Sequence, residues 1–130
     1  MVDRLGRSEL HYVAAEGKPA QARVLLAAGA ELDLQDCNGF TPLHFAALHG
    51  NAGVARVLLK HGATVDLAND FGNTPLHVAV ASSQGRGDLI ELLRDHGADP
   101  HRVNAYGQSP VALARLITNY DVARFFTDLE

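Results

Sequence analysis

The amino-acid sequence predicts an all-α solenoid of stacked helix-turn-helix units with projecting β-turns or hairpins. Three observations carry that prediction. One block of sequence occurs four times at nearly constant spacing, each copy opens on a helix-start signal, and a second apolar row closing on glycine recurs in step with the first.

The first block reads "GRSELHYVAAEG" from Gly6, "GFTPLHFAALHG" from Gly39, "GNTPLHVAVASSQG" from Gly72 and "GQSPVALARLIT" from Gly107, so the copies start 33, 33 and 35 residues apart. The second block reads "ARVLLAAGAELD", "ARVLLKHGATVD" and "IELLRDHGADPH". Two independent blocks in one register define four units, about 3–35, 36–68, 69–103 and 104–130, within a single domain spanning 1–130.

Each unit can be read from its residues. Ser8, Thr41, Thr74 and Ser109 stand where an N-cap hydroxyl satisfies an orphan backbone N–H, and Pro42, Pro75 and Pro110 follow at the first helical position, where a missing N–H costs nothing. Apolar residues then fall at i, i+3 and i+4: Leu10, Val13, Ala14; Leu43, Ala46, Ala47; Leu76, Ala79, Val80; and Val111, Ala114, with Arg115 breaking the last row.

The same spacing gives a second helix through Val54, Val57, Leu58; Leu89, Leu92, Leu93; and Val122, Phe125, Phe126. In the first unit the row is Gln21, Val24, Leu25, whose polar first member suits an end unit. Gly29, Gly62 and Gly97 stand where a left-handed residue closes the second helix. No such unit buries its own apolar face, so stability must come from stacking, with polar ends at Lys18, Gln21 and Arg23 on one side and Arg115, Arg124 and Asp128 on the other.

With "TPLHFA" and "TPLHVA" complete, "SELHYV" partial and "SPVALA" lacking its histidine, the chain resembles the ankyrin-repeat family over nearly its whole length. The resemblance implies protein binding through the turns and first helices. The family's variable positions fall on Arg4, Leu5 and Arg7, on Asn38 and Phe40, on Asp70, Phe71 and Asn73, and on Tyr106 and Gln108, with Glu16, Leu48, His49 and Ser82 from the first helices. Phe40, Phe71 and Tyr106 would line aromatic groups along the stack, and aromatic side chains are enriched at interface hot spots.

Composition narrows the function classes. The 130 residues carry 11 Lys+Arg against 15 Asp+Glu, a formal charge of -4, with the basic residues scattered. A nucleic-acid partner would call for a basic stripe, so none is expected. No apolar run approaches the roughly 18–20 residues of a membrane span. The start, "MVDRLGRSELHY", has no secretory pattern, and the lone Cys37 forms no intrachain disulfide, so the cytoplasm is the expected location.

His11, His44 and His77 share one motif position, and the resemblance gives the imidazole there a structural role, tying adjacent turns together. Equivalent residues on successive units lie roughly 10 Å apart on the helix-packing scale, too far for shared metal ligation. His49, His61 and His96 fall on surface positions instead. Cys37 has no neighbouring base to activate it, "RGD" at Arg86–Asp88 has no extracellular setting, and no cofactor motif is present. The two extra residues of the third unit fall in "ASSQGRGD" and read either as a tolerated loop extension or as a protruding contact loop.

The expectation is therefore a binding module without catalytic activity, cofactor or metal, monomeric when free, whose partner is another protein. A short chain of four units ending "NYDVARFF" looks like small bacterial ankyrin proteins, some of which are immunity proteins neutralising a toxin encoded beside them. The other readings are a regulatory adaptor, a fragment of a larger scaffold, or an enzyme subunit whose polar constellation would have to break the repeat rules somewhere.

Overall fold

The computed structural model describes residues 2–129. Helices α1 (Glu9–Glu16), α2 (Pro19–Ala27), α3 (Pro42–Leu48), α4 (Ala52–Lys60), α5 (Pro75–Ser82), α6 (Asp88–Asp95) and α7 (Pro110–Leu116) are followed by a C-terminal 3-10 helix at Ala123–Leu129. No strand occurs among the described residues. The first helices form one layer, α1 on α3, α3 on α5 and α5 on α7, and the second helices form another, α2 on α4 on α6.

The helix starts follow from the chemistry of their caps. Thr41 and Thr74 hold extended backbone, and each Oγ1 accepts from the N–H three residues on, at 3.3 Å in Thr41 and 3.5 Å in Thr74. Ser109 does the same for Ala112 at 3.1 Å. A proline the sequence reading passed over, Pro19, opens α2 in the same way as Pro42, Pro75 and Pro110 open theirs. Gly29, Gly62 and Gly97 take φ values of 94°, 94° and 91°, closing the second helices in the left-handed region.

The first-helix rows are buried as expected: Leu10, Val13, Ala14, Leu43, Ala46, Ala47, Leu76, Ala79, Val80, Val111 and Ala114, while Arg115 is exposed. Alanine and valine at these places let the helices approach closely. In the second layer the expected row needs one correction. Leu92 is only half-buried, and Ile90, outside the expected row, is as fully enclosed as Leu93 and continues a column through Ala22 and Ala55. At the N-terminal end Gln21 and Val24 are exposed, so the first unit holds its second helix chiefly by Ala22 and the half-buried Leu25 and Leu26.

The fourth unit departs from the expected pair of α-helices. Its second element is a 3-10 helix interrupted at Phe126 (φ -129°, ψ 18°). Its two aromatic rings turn back onto the third unit. Phe126 is buried, and Phe125 lies against Gly87 so closely that a Cβ there would come within 2.1 Å of its ring. Arg94 adds a two-pronged ion pair with Asp128, at 2.9 and 2.7 Å, and donates to the Phe125 carbonyl.

This packing also says what the two-residue insertion does. Tyr120 rests on Gly85, the Arg124 guanidinium donates to the Gly85 carbonyl at 2.8 Å, and Gln84 takes a left-handed φ of 52° to shape the loop. The loop is a seat for the C-terminal segment, and within the "RGD" triplet Arg86 and Asp88 are exposed while Gly87 is half-buried beneath Phe125 and Asp88 begins α6.

Leu58→Ala should destabilise the chain by about 2–5 kcal/mol, the usual loss for a fully enclosed leucine, and Leu92→Ala by clearly less. Gly87→Ala should cost stability through its clash with Phe125, and Gly87→Ala combined with Phe125→Ala should cost less than the sum of the two changes. Urea denaturation followed by circular dichroism reads all five variants, the Phe125→Ala single change included.

Candidate interaction surface

The projecting turns are built four times from one device. The side-chain oxygen of Asp3, Asp36, Asn69 and Asn104 accepts the backbone N–H groups two and four residues on: Leu5 and Arg7, Asn38 and Phe40, Phe71 and Asn73, Tyr106 and Gln108, all at 2.9–3.0 Å. The side chain thus takes the place of a backbone partner in a tight turn. Turns of neighbouring units are then joined backbone to backbone, Cys37 to the Leu5 carbonyl at 2.7 Å, Asp70 to Asn38 at 3.0 Å and Ala105 to Phe71 at 2.9 Å. Glycine is required beside these bonds because a Cβ on Gly72 would lie 2.6 Å from the Ala105 nitrogen.

Two columns result. Leu5, Asn38, Phe71 and Tyr106 precede the turn glycines and occupy the tips; Arg7, Phe40, Asn73 and Gln108 follow the glycines and lie further in. The three aromatic residues therefore do not form one file. Phe71 and Tyr106 share the tip column and are 44% and 73% exposed. Phe40 is in the inner column, half-buried, its ring stacked on Phe45 at 5.6 Å and set edge-on to His44 at 5.4 Å.

The other candidate residues divide in the same way. Arg4, Leu5, Asn38 and Asp70 are exposed on the turns, and Glu16, Leu48 and His49 are exposed at the ends of the first helices, with Ser82 half-buried. Arg7 is occupied within the fold: its Nε pairs with the buried Asp36 carboxylate at 3.2 Å and its guanidinium lies 4.9 Å from the Phe45 ring centroid. Asn73 accepts from the Asn104 amide at 2.8 Å. The sequence reading missed Ala81 and Leu116, which sit at the same place in the unit as Leu48 and are exposed; the repeat spacing would have found them. The surface thus combines an exposed tip column with an apolar row, Leu48, Ala81 and Leu116, on the first helices.

The three motif histidines lie beneath this surface, each almost fully enclosed. Nδ1 accepts the N–H of Ser8, Thr41 or Thr74 at 3.0–3.1 Å, and Nε2–H donates to the carbonyl of Phe40, Asn73 or Gln108 in the next unit at 2.8–2.9 Å. Each ring is thus fully used, and each must be neutral, since a proton on Nδ1 would face an N–H. Burial holds all three imidazoles below the ordinary histidine range, His44 down to about 4. No group of three or more His, Cys, Asp or Glu side chains among the described residues is arranged to hold a metal ion.

Stacked helix pairs with bonded turns and an outer column that differs from unit to unit define a helical repeat protein. The family model for ankyrin repeats, in three copies, matches residues 10–104, and the chain belongs to the ankyrin-repeat family. No curated protein matches the sequence at a significant level. Ankyrin repeats are in general protein–protein interaction modules. No helix among the described residues is long and apolar enough to cross a membrane.

The histidines fix a pH dependence. A folded-state pKa of about 4 against 6.5 for free imidazole means that His44 contributes stability fully above pH 6.5 and loses it as pH falls toward 4, to a total of roughly 3 kcal/mol. His11 and His77 are shifted in the same direction and add to the loss. The urea midpoint should fall steeply through this window, and His44→Gln should flatten the fall; an unchanged slope in that variant would rule out His44 as its source.

Proposed function

We propose that this chain binds another protein through its turn tips and the exposed ends of its first helices, and that it carries out no chemistry itself. The observation that carries this reading is the division of labour in the turns. Backbone bonds, Asx side chains and histidines hold the loops, and Leu5, Asn38, Phe71 and Tyr106 lend that framework only their backbone groups while their side chains project at the tips. Side chains that are held out and unused are what recognition requires. Phe71 and Tyr106 are the anchors, with Leu48 and Leu116 flanking them on the helices.

Within this reading we favour the inhibitor class over a general adaptor: a compact, pre-ordered face needs little rearrangement to occlude a partner's site, which lowers the entropic cost of binding. The product of a neighbouring toxin gene is then the partner to test first. Co-expression should protect cells from that toxin, and failure to protect against any adjacent gene product would leave the adaptor reading.

Alanine at both Phe71 and Tyr106 should weaken the partner's binding by roughly 1–4 kcal/mol in titration calorimetry without lowering the melting temperature. Arg56→Ala with Lys60→Ala, exposed on α4, is the matched control and should change affinity little. If the α4 pair abolished binding and the aromatic pair did not, the face would be misassigned.

A further inference from the structure

The junctions between units repeat, and one of them is open. Between the second and third units, a junction lined by Ala47, Gly50, Ser82 and Ser83 leaves only about 10 Å³ of space, and the Arg86 guanidinium lies against Gly50. One unit along, the corresponding residues are Val80, Ser83, Ile117 and Thr118, and the space is about 300 Å³. The opening has identifiable causes. Helix α7 stops at Leu116, and Ile117 takes extended backbone (φ -77°, ψ 118°), so the chain leaves the helical path there. Tyr120 then lies along Gly85 in the inserted loop and becomes a wall of the cleft.

The lining restricts what the cleft can take. Val80 and Ala81 make one apolar side, and Ile117 and the Tyr120 ring make another. Ser83 is buried, its hydroxyl already engaged with the Val80 carbonyl at 3.1 Å and the Gly85 N–H at 3.4 Å. Gln84, Thr118 and Asn119 are exposed on the rim, and their side chains bond to nothing among the described residues. No charged side chain lines the cleft among the described residues. A charged occupant would lose its hydration with no counter-charge to replace it. A wholly apolar one would cover the polar rim without bonding to it. An aromatic ring with one hydroxyl meets both demands, because the ring packs between the apolar sides and against Tyr120 while the O–H both donates and accepts. At about 300 Å³ the cleft is at the small end of ligand pockets, with room for one side chain.

We propose that this cleft is a phenol-binding pocket, which the partner protein fills with a tyrosine side chain. This rests on the partner-binding reading above and gives that partner an anchor. The cleft is continuous with the same surface, since Ala81 belongs both to the exposed row Leu48, Ala81 and Leu116 and to the cleft wall. Phe71 and Tyr106 reach outward to the partner; here the partner reaches inward.

Titrating the isotope-labelled protein with p-cresol, toluene and n-butylammonium, followed by heteronuclear NMR, tests the pocket without a partner. The expected result is saturable p-cresol shifts confined to Ala81–Gly85 and Ile117–Tyr120, weaker toluene binding and no response to the ammonium. Thr118→Val with Asn119→Ala changes two exposed side chains, so it should weaken p-cresol roughly tenfold, leaving toluene binding and the melting temperature unchanged. Ala81→Trp, also at an exposed position, should fill the cleft, abolish the p-cresol shifts and weaken the partner in titration calorimetry about tenfold or more. Shifts that do not saturate or that spread over the surface, toluene binding as tightly as p-cresol, or a rim variant that keeps full p-cresol affinity overturns the pocket. A partner bound equally well by Ala81→Trp overturns its use as the anchor site. None of these outcomes bears on Phe71 and Tyr106, so failure of the pocket and failure of the tip face are read separately.

Discussion

The imidazole bridge between units is the constraint on which the rest of the structure depends. Through Nδ1 it fastens the first turn of a helix to its own cap, and through Nε2–H it fastens that helix to the backbone of the next turn. One buried neutral ring therefore sets the start of a helix, the distance to the next unit and the height at which the next turn projects. Where the ring is missing, at Ala112, no imidazole bridge is made, and the segment that follows packs as a 3-10 helix.

This arrangement separates what must be kept from what is free to vary. Inner-column residues contribute their backbone carbonyls to the bridge, so even Phe40, a large aromatic, is absorbed into packing with His44 and Phe45. Inner-column side chains also pair between units, Arg7 with Asp36 and Asn73 with Asn104. Asn69, whose counterpart in the column is Phe40, has its buried amide nitrogen unpartnered. Tip residues have no such duty. The side chains at Leu5, Asn38, Phe71 and Tyr106 can change without touching the bridge.

Much of this was legible in the sequence because the repeat puts equivalent residues in register. Thr41-Pro42-Leu43-His44 and its copies gave the helix starts, and the spaced leucines and valines gave the layers. The aspartates and asparagines of the turns, at the same spacing, were equally readable and passed unnoticed, since a lone Asx residue ahead of a glycine resembles any turn. The choice between Ile90 and Leu92 was harder: both are apolar, and the column that Ile90 continues is marked in the earlier units only by the small Ala22 and Ala55. Reading Phe40 with Phe71 and Tyr106 counted aromatics per unit without fixing which side of the glycine each occupied, and the side determines whether the ring faces water or the interior.

The C-terminal segment was the least legible part, because its conformation is set by a residue count elsewhere. Its row, Val122, Phe125 and Phe126, has helical spacing. The rings nonetheless turn onto the third unit, which they can do only where that unit leaves room. The extra length in "ASSQGRGD" supplies it: Gly85 and Gly87 leave bare backbone where Tyr120 and Phe125 lie, and any side chain at Gly87 would close the seat. The insertion and the missing α-helix, which look like separate irregularities along the chain, are two halves of one contact, and neither is explained by the local sequence around it.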